Sequence, residues 1–110
     1  MIVGVPREIK TEENRVALTP SGAGAFVAHG HIVLVETGAG DGSSLPDGLY
    51  ADAGATLVDA DTVWGDAELV LKVKEPQPSE YAKLRPGVVV FTYLHPVSYT
   101  HLTLPTIYSV

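Results

Sequence analysis

The sequence predicts a doubly wound α/β domain, a mostly parallel sheet with helices on its flanks, and three observations point that way. Short apolar, β-branched runs recur at 2–5, 32–35, 56–58, 69–73 and 88–94. Each is nearly continuous rather than alternating, as in strands buried on both faces of a parallel sheet. Helix signals stand between them, so the order is β-α-β-α-β-α-β-α-β, which right-handed crossovers wind into one sheet.

The elements follow from local chemistry. After the first run, Thr19 is a good N-cap with Pro20 at the first helical position. Ala23, Phe26 and Val27 then share a helical face, and Gly30 stops the helix. Past the second run lies the Gly- and Ser-rich loop 38–44, expected to be a flexible turn. Asp47 is placed to cap a short helix that ends at Gly54. Residues 59–67 give another, presenting Val63 and Trp64. Ser79 is the expected cap of a fourth, with Tyr81 and Leu84 on one face and Pro86-Gly87 closing it.

The chain has 110 residues, which suits one domain with a real core. An apolar content of 45% and a mean hydropathy of +0.18 belong to a folded chain. No apolar run is long enough to span a bilayer, and the N-terminus has no secretory pattern. With no cysteine, disulfides and thiolate metal sites are excluded, and a cytoplasmic protein is expected. The net charge of −6 argues against a nucleic-acid or anionic-membrane surface.

Charge distribution says more than the total. Residues 16–71 carry no Lys or Arg and eight acids, while Arg7, Lys10, Arg15, Lys72 and Lys74 fall in two short stretches. In open α/β sheets, ligands bind beyond the carboxyl ends of the strands. There the first strand delivers Arg7 and a loop reaching Arg15. The fourth delivers Lys72 and Lys74, expected on one face, and the fifth delivers Tyr93 and His95, also two apart. Such a set suits a small carboxylate carrying an oxo or amino group. Each residue has a plainer role as well. Arg15 either pairs with Glu12 or Glu13 in its own loop or makes a forked grip on a substrate carboxylate. Lys72 and Lys74 are either strand-end lysines reaching water or ligand contacts, and Tyr93 and His95 are either core residues or pocket residues.

Two other features carry less. ETGAGDGSS (36–44) follows a strand, but a dinucleotide fingerprint needs its third glycine where Ser43 stands and a helix at once. His29-Gly30-His31 lacks the further ligands a metal site requires.

GVPREIKTEENRVALTP (4–20), ETGAGDGSS (36–44), LKVKEP (71–76) and FTYLH (91–95) resemble the N-terminal domain of the alanine dehydrogenases. That family is related to the nicotinamide nucleotide transhydrogenases and the saccharopine-forming enzymes. The resemblance covers residues 1–95 in order, and it implies a Rossmann-like or flavodoxin-like catalytic domain, here incomplete. It places the family's substrate-binding arginine on Arg15, its substrate-binding lysine on Lys74 and its catalytic histidine on His95, with Tyr93 lining the pocket. The implied reaction is reversible oxidative deamination of L-alanine to pyruvate and ammonia with NAD. A homo-oligomer in the cytoplasm is implied too, with no nucleic-acid or membrane partner. Glu12 departs from the pattern, since the family often has Asn there. The transhydrogenase relatives generally lack the Tyr-Leu-His ending, so His95 favours the dehydrogenase branch.

The family continues past its histidine into an NAD-binding domain, which these 110 residues do not contain. Residues 96–110 hold two prolines and no Asp, Glu, Lys or Arg. SYTHLTLPT resembles the translated adapter sequence that ends some metagenomic reading frames. The expectation is a substrate domain at 1–95, a non-native tail at 96–110, NAD held by an absent second domain, and no turnover by this chain alone. Two alternatives remain: the N-terminal fragment of a transhydrogenase α-subunit, or a stand-alone carboxylate-binding α/β module whose tail is a genuine C-terminal arm.

Overall fold

The computed structural model describes residues 1–93 and 105–109, with side chains through residue 92. Its strands are β1 (Ile2–Val5), β2 (Ile32–Glu36), β3 (Thr56–Val58), β4 (Leu69–Leu71), β5 (Val89–Tyr93) and β6 (Pro105–Ser109). Its helices are α1 (Pro20–Ala28), α2 (Asp47–Asp52) and α3 (Ala60–Asp66). The sheet order is β3-β2-β1-β4-β5-β6. The first five strands are parallel, while β6 runs antiparallel along β5, pairing Val89 with Ser109 and Tyr93 with Pro105. The order reverses between β1 and β4, which makes their carboxyl ends the topological switch point where such sheets take ligands.

Alternation along the strands separates two cores. Val5, Val33 and Val35 point to one face, where Ala23 of α1 and Tyr50 of α2 meet them. The parallel register sets Gly4 beside Val70 and Val70 beside Val90, and this row faces the other way. Trp64 and Ala67 cover that second face together with Val70, Val88 and Val90. Gly4 is required there, because a Cβ would lie 2.7 Å from Ala67 Cβ and 2.9 Å from Val63 Cγ1. Each fully buried valine contributes on the order of 1.5–3 kcal/mol relative to an exposed one.

The polar groups that anchor the helices are satisfied. Thr19 caps α1, its hydroxyl accepting from Gly22 N, and Pro20 opens it. Asp59 caps α3 by accepting from Thr62 N. The buried Tyr50 hydroxyl donates to Leu18 O at 2.6 Å, tying α2 to the segment entering α1. The Arg85 guanidinium donates to the carbonyls of Trp64 and Ala67 at the end of α3.

Four local expectations are corrected. Asp47 is the first residue of α2, not its cap; its carboxylate accepts instead from Gly38 N at 2.9 Å. The fourth helix is a 3₁₀ segment, Pro78–Lys83, capped by Gln77 and Glu80 rather than Ser79, and Tyr81 is exposed. Two prolines close by, at 76 and 78, and a reciprocal Gln77–Glu80 cap favour this tight turn over a full helix. β4 stops at Leu71, short of Val73. Loop 38–44 is not a loose turn: a Cβ on Gly42 would stand 2.6 Å from Asn14 O.

Candidate functional site

The stop of β4 at Leu71 decides what its lysines do. Lys72 continues the strand parity of Val70 and goes under the sheet, its side chain 1% exposed. There its ammonium lies 3.1 Å from Glu8 Oε1 and 3.4 Å from Glu80. Glu8 has left β1 with the parity of Gly4, so it arrives on the same face. Its carboxylate also accepts from Val73 N at 2.9 Å and Lys74 N at 3.1 Å. One buried acid therefore neutralises Lys72 and fixes the backbone that carries Lys74. The expectation that Lys72 and Lys74 share a face fails, because the chain turns once the ladder ends.

Lys74 emerges beside the β1–α1 loop, with its ammonium 3.8 Å from Glu13 Oε1. The same carboxylate receives Arg15 through two parallel bonds, Nε to Oε2 at 3.0 Å and Nη2 to Oε1 at 2.9 Å. Arg15 N adds a third at 2.9 Å. Glu13 is thus almost wholly enclosed, its side chain 5% exposed, while that of Arg15 is 68% exposed. The hydrogen bond from the Arg15 side chain, first among the causes, holds the Glu13 carboxyl well below its ordinary 4.5, at about 2. Burial opposes this, and the nearby Lys74 charge assists it.

The loop bearing these groups is held from both sides. Lys10 Nζ reaches Glu75 Oε1 at 2.8 Å, linking it to the exit of β4. Ser43 Oγ donates to Asn14 O at 2.9 Å, linking it to the glycine loop after β2. Within the loop Glu12 takes φ +65°, a left-handed conformation that asparagine adopts more readily than glutamate. The departure from the family pattern at Glu12 falls on this strained position.

A cleft of about 360 Å³ opens between these loops, lined among others by Arg7, Glu8, Glu13, Arg15, Glu36 and Asp41. Its wall is polar and carries both signs of charge. Glu36, at the end of β2, accepts from Arg7 N at 2.9 Å. The glycine loop does not fit the phosphates of a dinucleotide. The amides of Ala39, Asp41, Ser43 and Ser44 donate to carbonyls within and just before it, and that of Gly38 donates to Asp47. Asp41 and Glu36 would add repulsion.

The structure thus brings two expected site residues, Arg15 and Lys74, onto one carboxylate. Tyr93 ends β5; the register of Leu71 with Phe91 puts it two residues beyond that pair, beside the exit of β4. Its side chain and the whole of His95 lie outside the described residues. Sequence reasoning weighed Glu13 only as a competitor for Arg15, and it passed over Glu8 and Glu80. The available signal was a lysine inside an apolar strand, which demands a buried acid, and Glu8 has the matching parity at the next strand's end.

Known proteins give the comparison. The family model described as "Alanine dehydrogenase/PNT, N-terminal domain" matches residues 4–106. The alanine dehydrogenase of Bacillus subtilis (strain 168) is 58% identical over 96 residues, covering 86% of this chain and 25% of that one. A solved structure of an L-alanine dehydrogenase superimposes with a TM-score of 0.84 at 47% identity, over 86% of this chain and 26% of that one. A transhydrogenase from Sinorhizobium meliloti is more distant, with a TM-score of 0.80 at 35% identity, over 86% of this chain and 28% of the other. The chain spans about a quarter of the length of the relatives it matches.

Proposed function

The chain belongs to the family of the alanine dehydrogenase/PNT N-terminal domain, and from that premise we propose that it is the substrate-binding part of an NAD-dependent L-alanine dehydrogenase. The observation that carries this reading is the meeting of Arg15 and Lys74 on the Glu13 carboxylate. Two cations from different strand ends make a receptor for a small carboxylate. In the reaction proposed, L-alanine becomes pyruvate and ammonia, and the reverse.

Arg15 holds the substrate carboxylate through the Nη1–Nη2 edge of its guanidinium, the Nε–Nη2 edge being engaged by Glu13. Lys74 contacts that carboxylate or the carbonyl region beside it. His95 serves as general acid and base at the amine and at the carbinolamine, where an imidazole titrating near neutrality is well matched. Tyr93 lines the same pocket. A nicotinamide bound by a separate dinucleotide domain would supply the hydride acceptor; the glycine loop of this chain is not suited to hold it. The transhydrogenase reading is disfavoured by His95, which amino-acid chemistry needs and hydride exchange between nucleotides does not.

The further proposals are a cytoplasmic location and a homo-oligomeric enzyme. Residues 1–95 are proposed as the native domain and 96–110 as foreign to it. An independent long read of the DNA around codons 94–110 decides the last point: a frame continuing unchanged through these codons would refute it.

The function is tested by titrating the 110-residue chain with pyruvate and following backbone amides by NMR. Millimolar pyruvate should move the amides of Arg15 and Lys74, and Arg15→Gln should abolish the response. Absence of any shift at either residue would contradict the reading. The same chain should show no NADH-dependent amination of pyruvate, and measurable turnover would overturn the need for a second domain.

A further inference from the structure

Three charged side chains make up this receptor. Arg15 and Lys74 bring two positive charges, and both approach the same oxygen of Glu13, at 2.9 and 3.8 Å. Glu13 is enclosed and bonded three ways by Arg15, so it is a fixed part of the receptor. We propose that Glu13 sets the receptor's net charge at +1 and thereby makes it selective for ligands with a single carboxylate. This rests on the reading that Arg15 and Lys74 grip a substrate carboxylate.

Three physical points support it. Two cations held near one another repel, and the intervening carboxylate both removes that repulsion and fixes the forked geometry of Arg15. One substrate carboxylate then neutralises what remains. A second anionic group has no counter-charge left among these three residues, and it enters a cleft whose described wall carries Glu8, Glu36 and Asp41 against one further cation, Arg7, which lies 3.9 Å from Glu36. Of these, Glu8 is committed to Lys72 and to the amides of Val73 and Lys74. With its carboxyl held at about 2, Glu13 stays ionised at every pH at which the domain would be assayed.

Pyruvate and oxalate separate charge from shape, being nearly the same size and differing by one negative charge at neutral pH. Both are titrated into the full 110-residue chain at low salt, with the amides of Arg15 and Lys74 as reporters. The ratio of the two dissociation constants within one protein cancels any loss of geometry, which a purely structural role for Glu13 would leave unmoved. The wild type should favour pyruvate. Glu13→Gln and Glu13→Ala, two neutral replacements with different packing, should each shift the ratio toward oxalate by about three- to tenfold. Glu13→Asp should keep the wild-type ratio. An unchanged ratio in both neutral variants, with binding retained, overturns the inference and leaves the carboxylate site standing. No shift at either reporter in the wild type overturns the inference and the site together.

Discussion

Two charge clusters sit side by side at the carboxyl edge of β1 and β4, and their difference separates structure from function. In one, Lys72 is shut between Glu8 and Glu80 with essentially no exposure. In the other, Glu13 and Arg15 line a cleft with Arg15 largely in solvent, and Lys74 approaches the same carboxylate at 3.8 Å. Both contain lysine and glutamate, and Lys72 and Lys74 are two residues apart. What divides them follows the end of the β4 ladder at Leu71: Lys72 is wholly buried between two acids, whereas Lys74, two residues on, keeps 16% exposure beside Glu13. A buried ion pair gains little over a well-packed apolar substitute, yet removing one partner leaves an uncompensated charge. A pair with one partner largely in solvent, as Arg15 is beside the enclosed Glu13, contributes less to stability and keeps part of its guanidinium facing the cleft.

The comparison breaks most visibly at Lys72. Lys72→Met leaves two buried carboxylates without their cation and should cost about 3–5 kcal/mol in urea unfolding, a large fraction of a small domain's stability. A loss under about 1 kcal/mol would mean that the buried triad is not the structural member. Arg15→Ala should cost less stability, about 1 kcal/mol, because loss of the largely solvated guanidinium lets water reach Glu13, and should lose pyruvate affinity roughly ten- to a hundredfold, the worth of a charge-assisted contact. Titration and unfolding of the same sample check both halves.

The loop between the clusters sharpens the contrast further. Glu12 sits at φ +65°, so Glu12→Asn should stabilise the chain by about 1 kcal/mol, read as a rise in the urea midpoint. The smallest effect is in acid. Glu13 is held at about 2, below its ordinary 4.5, so its pairing stabilises the folded chain above about pH 4.5 and is lost as pH falls toward 2. Because Arg15 is mostly solvated, the difference should be less than about 1 kcal/mol. Unfolding curves at pH 6 and pH 3 should therefore show wild type losing slightly more stability than Glu13→Gln. An equal or smaller loss would contradict the pairing.

Much of this was legible in the residues. The buried runs mark all five parallel strands, and Thr19-Pro20 fixes the start of α1 to the residue, because both signals act through nearest neighbours. Val63 and Trp64 are recognisable as the buried face of α3 for the same reason. What escaped depends on distant partners or on where a ladder stops. Glu8 meets Lys72 across 64 residues, and no local pattern marks that pairing. The 3₁₀ segment at Pro78–Lys83 depends on a cap shared by Gln77 and Glu80, which competes with the Ser79 signal. The glycines after β2 look like slack in the sequence, but Gly42 is small because Asn14 lies against it. At the site, Arg15 and Lys74 were readable as candidates, whereas Glu13 as their common anchor needed the folded chain.

The central claim is that Arg15 and Lys74 form one carboxylate receptor while Lys72 belongs to the frame beneath it. Amide shifts across the wild-type chain during a pyruvate titration test this most directly. The account predicts shifts concentrated at residues 13–15 and 73–74, saturating together with one dissociation constant in the millimolar range, and α1 left unmoved. Shifts confined to other parts of the domain, or different constants at Arg15 and Lys74, would contradict it.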